Sequence, residues 1–214
     1  NLGAAYLAQG LGDEAEAVFR TLLERVPTSV TAHNNLGLIR MGHMDFDSAR
    51  ELFHRAVALQ PDNPGPHSNL ALCFKKQGRY ADAVAQWEKA LELSPDNGRI
   101  HLPLGMALLL LGEYERGWEH YRWRRQFRER AGYTIRYIDF GPLWDGSAVP
   151  NKIILVTPEQ GLGDTIQFCR YVGCLKELCA HVVAQVQEPL IALLNGLDSD
   201  VEWVAEGADL PPYD

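Results

Sequence analysis

The sequence predicts an α-solenoid of stacked helical hairpins followed by an incomplete α/β domain with a parallel sheet. Three observations carry that expectation. A period of 34 residues runs through the first part of the 214-residue chain, small and aromatic residues recur in register with it, and strand-like and helix-like stretches alternate from about residue 151. At 46% hydrophobic and 22% charged residues, the chain has enough apolar content to fold rather than stay disordered.

The period is fixed by Leu2-Gly3, Leu36-Gly37, Leu70-Ala71 and Leu104-Gly105. Ala15, Ala49 and Ala83 keep the same spacing, as do Phe19, Phe53, Trp87 and Tyr121, and Pro27, Pro61 and Pro95 close three units. Between these anchors the apolar residues follow helical spacing, so each unit reads as two short helices. In the third unit these are expected from about Pro66 to Gln77 and from about Tyr80 to Leu93. Gly or Ala at the crossing lets two antiparallel helices approach closely, the aromatic residue fills the gap against the next unit, and Pro ends the second helix. One unit cannot bury its apolar face alone, so neighbours must stack. Gly117, Arg124 and Pro103 depart from the pattern in the fourth unit, which reads as the place where the solenoid hands over to another domain.

This pattern resembles the tetratricopeptide repeat family over residues 1 to about 125. Asn1 falls at the sixth position of its unit, so the natural chain is expected to start earlier. In that family the first helix of each unit lines a concave groove, which implies an extended peptide or protein as partner. Position six is Asn1, Asn35 and Asn69, and position nine includes Leu38 and Leu72. An Asn amide offers a donor and an acceptor, so a row of them can pair with the peptide groups of an extended chain. That arrangement resembles the asparagine ladder of the O-linked N-acetylglucosamine transferases. The other reading of these Asn residues is local hydrogen bonding within their own helices.

His33, His67 and His101 also recur every 34 residues, but equivalent positions in stacked units lie on the order of 10–20 Å apart. Zinc ligands sit about 2 Å from the metal, so these histidines read as packing or hydrogen-bonding groups and no metal site is expected. Lys75 and Lys76 lie in one unit only and do not form the Lys and Asn pairs with which chaperone-binding repeats clamp a carboxylate. Four cysteines, Cys73, Cys169, Cys174 and Cys179, are too few for a disulfide scaffold and are expected to be reduced, as in a cytoplasm. The net charge of -8 argues against nucleic-acid binding. The one basic island, Arg122 to Arg136, is interleaved with aromatic residues and reads as a junction where Arg stems pack over rings. The longest apolar run, Leu102 to Leu111, contains Pro103 and falls short of the roughly 20 residues of a membrane span.

Helical periodicity stops near Gln126, and residues 126–150 read as a linker rich in aromatic residues, Gly and Pro. Lys152 to Val156 then reads as a buried strand, Thr157 to Gly163 as a loop and Asp164 to Leu178 as a helix. His181 to Val186, Pro189 to Leu197 and Val201 to Val204 continue as strand, helix and strand. This order implies a parallel sheet, the first half of a Rossmann-like doubly wound domain over residues 151–214 that stops too early to be a whole one. The loop carries Gln160, Gly161, Gly163 and Asp164. Gly-x-Gly between a strand and a helix frees backbone N–H groups, and Asp164 either caps the helix or projects into a cleft at the C-terminal edge of the sheet. The third Gly of a dinucleotide fingerprint is missing, since residue 166 is Ile.

Pro142-Leu-Trp144-Asp-Gly146, Lys152-Ile-Ile-Leu-Val and Glu159-Gln-Gly-Leu-Gly-Asp-Thr-Ile-Gln-Phe-Cys-Arg-Tyr171 resemble bacterial proteins that fuse tetratricopeptide repeats to a glycosyltransferase-like domain. The Gly-x-Gly-Asp turn is similar to the first loop of the lipopolysaccharide heptosyltransferases, which have the two-domain GT-B fold. The resemblance implies Asp164 as the base on an acceptor hydroxyl, with Gln160, Gly161, Gly163 and Arg170 as loop contacts to acceptor or phosphate. It also implies a nucleotide-activated sugar as donor in the full-length protein. The donor would sit mainly on a second domain, so no cofactor is expected on this stretch and the fragment is expected to be inactive alone. The non-catalytic alternative is a protein-interaction module carrying a degenerate transferase-like domain.

Overall fold

The structure, a computed structural model, describes residues 2–124, 144–158, 161–197 and 200–214. The chain divides into two compact units, residues 1–136 and 137–214.

The first unit is a stack of helical hairpins. Its helices are α1 (Leu2–Ala8), α2 (Gly12–Arg25), α3 (Val30–Gly42), α4 (Phe46–Leu59), α5 (Pro64–Lys76), α6 (Tyr80–Leu93), α7 (Gly98–Leu110) and α8 (Tyr114–Tyr121). The third unit matches its expected bounds at α6 and begins two residues early at α5, where Pro64 takes the first helical position and Asn63 caps Gly65 N at 3.0 Å. Ser29 caps α3 and Asp45 caps α4 through Ala32 N and Ser48 N, and the Ser48 hydrogen bonds hold the Asp45 carboxyl below its usual range. The turns inside the hairpins place Gly10, Met44, Gly78 and Gly112 at positive φ, once every 34 residues.

Small residues set the crossings. A Cβ built on Gly3 or Gly37 would sit 2.6 Å from the ring of Phe19 or Phe53. On Gly105 it would lie 2.6 Å from the backbone N of Tyr121, and on Gly117 it would meet Leu109 at 2.8 Å. The departure at Gly117 is therefore a tighter crossing of α7 and α8, not a loosened repeat. Pro103 leaves α7 unbroken from Gly98 to Leu110 and removes one backbone donor from its middle. Phe19 packs with Ala32, Leu36 and Ile39 of the following hairpin, and Phe53 with Leu70 and Ala71 of the one after. Each aromatic residue thus joins its own hairpin to the next. First helices also meet directly, since α3 packs on α5.

The second unit has strands β1 (Val149–Val156), β2 (Cys179–Val186) and β3 (Val201–Ala205) in the order β1-β2-β3, all parallel. Ile154 pairs with Val182, and Val182 pairs with Val201. The central strand is buried on both faces, with Val182 and Val183 fully covered, which is why β2 reads as a continuous apolar run. β1 starts three residues earlier than expected and carries an irregularity between Val149 and Ile153, where Pro150 cannot donate to the ladder. The Trp144 indole donates to Ser147 O at 2.7 Å and the ring packs on the Ile154, Val172 and Val182 cluster. Asp214 lies on the outer edge of β1, donating to Ile153 O at 3.1 Å and accepting from Ile153 N at 2.8 Å.

The single helix expected over Asp164 to Leu178 is two elements. α9 (Leu162–Phe168) is α-helical, and Cys169–Glu177 continues as a 3-10 helix. Val172, Leu175 and Leu178 lie three residues apart, the spacing that eclipses in 3-10 winding, and Val172 and Leu175 face the sheet core. The second connecting helix is likewise shorter than expected. It is a 3-10 turn, Glu188–Leu190, followed by α10 (Ile191–Leu194), and it gives way to a turn at Asn195 and Gly196.

Candidate functional site

Two regions collect the residues singled out by sequence. The first is the face shared by α3, α5 and α7. Asn1 lies outside the described residues. Asn35 donates from Nδ2 to Thr31 O at 2.8 Å, one turn back in its own helix, the local alternative for this side chain. Asn69 behaves differently. Its Nδ2 donates to Asn34 Oδ1 of the preceding hairpin at 2.9 Å, so the two amides bridge α5 to α3. Asn34 is a member of this face that sequence reasoning missed, although the Asn-Asn pair at 34 and 35 was its visible signal. Leu38 and Leu72 are half-buried, and Leu38 packs on the main repeat core. At the same register position Met106 is 42% exposed, so the row becomes more open toward α7.

The recurrent histidines sit beneath this face and hold the turns between hairpins. Nε2 of His33, His67 and His101 donates to the carbonyl oxygens of Pro27, Pro61 and Pro95 at 2.9, 3.1 and 2.6 Å. Their other nitrogens differ. His33 Nδ1 is buried with no partner among the described residues, His67 Nδ1 meets Gln86 Oε1 at 3.0 Å, and His101 Nδ1 meets His120 Nδ1 at 2.8 Å. His101 also stacks on Trp123 with ring centroids 4.0 Å apart. Burial, and then the facing His101, hold His120 below the ordinary imidazole value.

The second region is the loop after β1. Gln160 lies outside the described residues. Gly161 is the cap residue of α9 at φ -72°, and a Cβ on Gly161 or Gly163 would meet nothing within 4 Å. Among the described residues neither backbone strain nor packing calls for glycine here, in contrast to Gly37 and Gly105. Asp164 is half-buried in the first turn of α9, its N–H donating to Gly161 O at 3.1 Å. The cap position of this helix is taken by Gly161 and Asp164 is its third residue, so of the two alternatives for Asp164 the N-cap is not the arrangement formed. Arg170 is exposed, with its guanidinium 4.9 Å from the Tyr171 ring centroid, and pairs with no carboxylate among the described residues. Asp164 and Arg170 are therefore not brought together. The four cysteines are free thiols, and burial pushes the Cys73 thiol up.

Residues 1–64 match a family model described as a tetratricopeptide repeat, and residues 73–112 match a second, described as a TPR repeat. The hairpins over these matched residues are tetratricopeptide repeats. Among solved structures the chain is similar to "Crystal structure of MamA", at 22% identity and a TM-score of 0.54, covering 61% of this chain and 76% of that one. It is similar to "Crystal structure of MamA protein" at 22% and 0.53, covering 63% and 74%. It is also similar to MamA from Desulfovibrio magneticus RS-1 at 21% and 0.52, covering 61% and 73%. At these identities the likeness is one of fold. No curated protein matches the chain. Among the described residues, no helix is long and apolar enough to cross a membrane.

Proposed function

We propose that the tetratricopeptide unit is a protein-interaction scaffold that holds an extended polypeptide across α3, α5 and α7. The observation that carries this reading is the amide bridge Asn69–Asn34 set between the half-buried Leu38 and Leu72 and the exposed Met106. It leaves polar groups for a peptide backbone beside apolar surface for its side chains. The test is a peptide library panned on the full chain. Peptides that it selects should bind at least tenfold more weakly when Asn34 and Asn69 are both changed to Ala. Unchanged binding refutes the groove.

A second reading concerns the α/β unit and rests on the loop after β1. Gly161 and Gly163 meet no packing among the described residues, and Asp164 is half-buried at the third position of α9 rather than at its cap. In a parallel sheet, ligands bind beyond the C-terminal ends of the strands, where this loop lies. The reading is that the unit is the acceptor side of a sugar-transferring domain, with Asp164 as base on the acceptor hydroxyl and a nucleotide-activated sugar as donor. Gln160 and Arg170 remain contacts to acceptor or phosphate in this proposal. Sugar transfer by the full-length protein should drop at least a hundredfold in Asp164→Asn. Transfer at full rate refutes the assignment, and a full-length protein that binds partners without transferring sugar leaves the scaffold alone.

A further inference from the structure

Charge is sorted between the two helices of every hairpin. The first helices, α1, α3, α5 and α7, contain no Asp or Glu, whereas every second helix carries acidic residues, including Asp13, Asp47, Asp82 and Glu115 in the first turns. The helix dipole favours acidic residues in a first turn regardless of which helix it is. Their absence from all four first helices is therefore a property of that face. The cations on it are Arg40, Lys75, Lys76 and Arg99. Arg40 is held by Glu16, but Lys75, Lys76 and Arg99 make no ion pair among the described residues. Asp62 and Asp96 lie in the turns before α5 and α7, at the end of the face opposite Lys75 and Lys76.

We infer that the occupant of this groove is an acidic extended peptide, with an acidic residue set beside Lys75 and Lys76 and an apolar residue beside Leu110. The inference rests on the scaffold reading and adds the chemistry of the ligand. At the end of the first helices the register positions are Gly42, Lys76 and Leu110, with Leu110 65% exposed. One row inward they are Met41, Lys75 and Leu109. Met41 packs on the repeat core and Leu109 against Gly117, so Leu110 is the apolar group these rows leave exposed, and it lies in the hairpin after the cationic one. The first helix α3 packs on α5, and equivalent positions in neighbouring hairpins lie on the order of 10–20 Å apart. An extended chain advances roughly 3.3 Å per residue, so it passes one hairpin in about three to six residues. The complementary sequence is an acidic residue with an apolar residue about three to six positions away. The net charge of -8 does not oppose this match, because at physiological salt charges farther than about 8 Å are largely screened and the local lysines dominate.

Fluorescence anisotropy on the full chain tests the assignment with three labelled synthetic peptides. Each carries a central Glu, Gln or Lys with a leucine about three to six residues to either side. The Glu peptide should bind roughly tenfold more tightly than the Gln peptide and weaken with added salt, and the Lys peptide should bind least. Changing the surface residues Lys75 and Lys76 together to Glu should reverse that order, and changing both to Gln should abolish it. Equal binding of the Glu and Gln peptides, or an unchanged order in the Glu variant, overturns the acidic preference. If all three peptides bind alike and Asn34→Ala with Asn69→Ala weakens them together, the groove stands and only its preference falls. If none of the three binds, or the Asn variants bind the peptides as the parent does, the groove falls and the preference with it.

Discussion

Met44 takes the left-handed conformation, φ 61°, that Gly10, Gly78 and Gly112 occupy in the equivalent turns, and its side chain is 74% exposed. A residue with a Cβ is strained there by about 1–2 kcal/mol, and little packing compensates at that exposure. Met44→Gly should therefore raise stability by about 1 kcal/mol, seen as a higher urea midpoint with an unchanged slope. Gly105 is the opposite case. Its neighbours are backbone atoms of Tyr121 and Gly117, which cannot swing aside as a side chain can. Gly105→Ala should cost about 3 kcal/mol in the same experiment. Gly163→Ala should be neutral or stabilise by up to about 1 kcal/mol, since its Cβ meets open space in a helix where Ala is favoured. Any loss in that variant would then be a loss of function rather than of fold.

At the scale of elements, the 34-residue recurrence makes each hairpin a control for the next. Gln86 in the third hairpin and His120 in the fourth occupy one register position, and each meets Nδ1 of the histidine beneath it. Because His101 Nε2 donates to Pro95, its neutral ring must accept at Nδ1, so His120 supplies the proton between them. A second proton on the pair sets two N–H groups against each other. His120 is held below its ordinary value, so the unfolded chain binds the proton more readily. The fourth hairpin therefore keeps its full stability above about pH 6.5 and loses it as pH falls from there toward the lower folded-state value. His120→Gln should flatten the fall of melting temperature between about pH 7 and pH 5, while leaving the value at pH 7.5 nearly unchanged. His54, lowered by burial and Arg50, keeps a residual slope in both proteins.

Much of this was readable before any coordinates, for a physical reason. Pairs such as Gly37 with Phe53 leave a regular trace because a close helix crossing admits almost nothing else. The change to 3-10 winding at Cys169 was not readable. Val172, Leu175 and Leu178 satisfy both a three-residue and a mixed three-and-four spacing, and only the packing against β2 separates them. The Asn69–Asn34 bridge was hidden for a related reason, since a hydrogen bond between hairpins depends on the offset between helices rather than on spacing within one.

Across the whole molecule, apolar burial falls into separate clusters. Ala15, Phe19, Ala32, Leu36 and Ile39 form one within the repeats, and a larger one centred on Phe53, Leu70 and Trp87 continues into α7. Stacks of this kind couple mainly nearest neighbours. Trp87, 1% exposed, sits in the larger cluster, and Trp87→Ala should cost about 3–5 kcal/mol. Hydrogen exchange should then show α5 to α7 opening while amides in α2 keep more of their protection. Loss of protection spread evenly over α2 to α7 would mean that the stack behaves as one indivisible block. The imidazoles of His33, His67 and His101 bear on this arrangement as well. Each clasps the carbonyl that opens the bend into its own hairpin, so the rotation from one hairpin to the next is set by a side chain instead of by slack in the connection. In the proposed scaffold, contact points along α3, α5 and α7 then keep an even cadence, and a bound chain would be read by counting residues between its anchors.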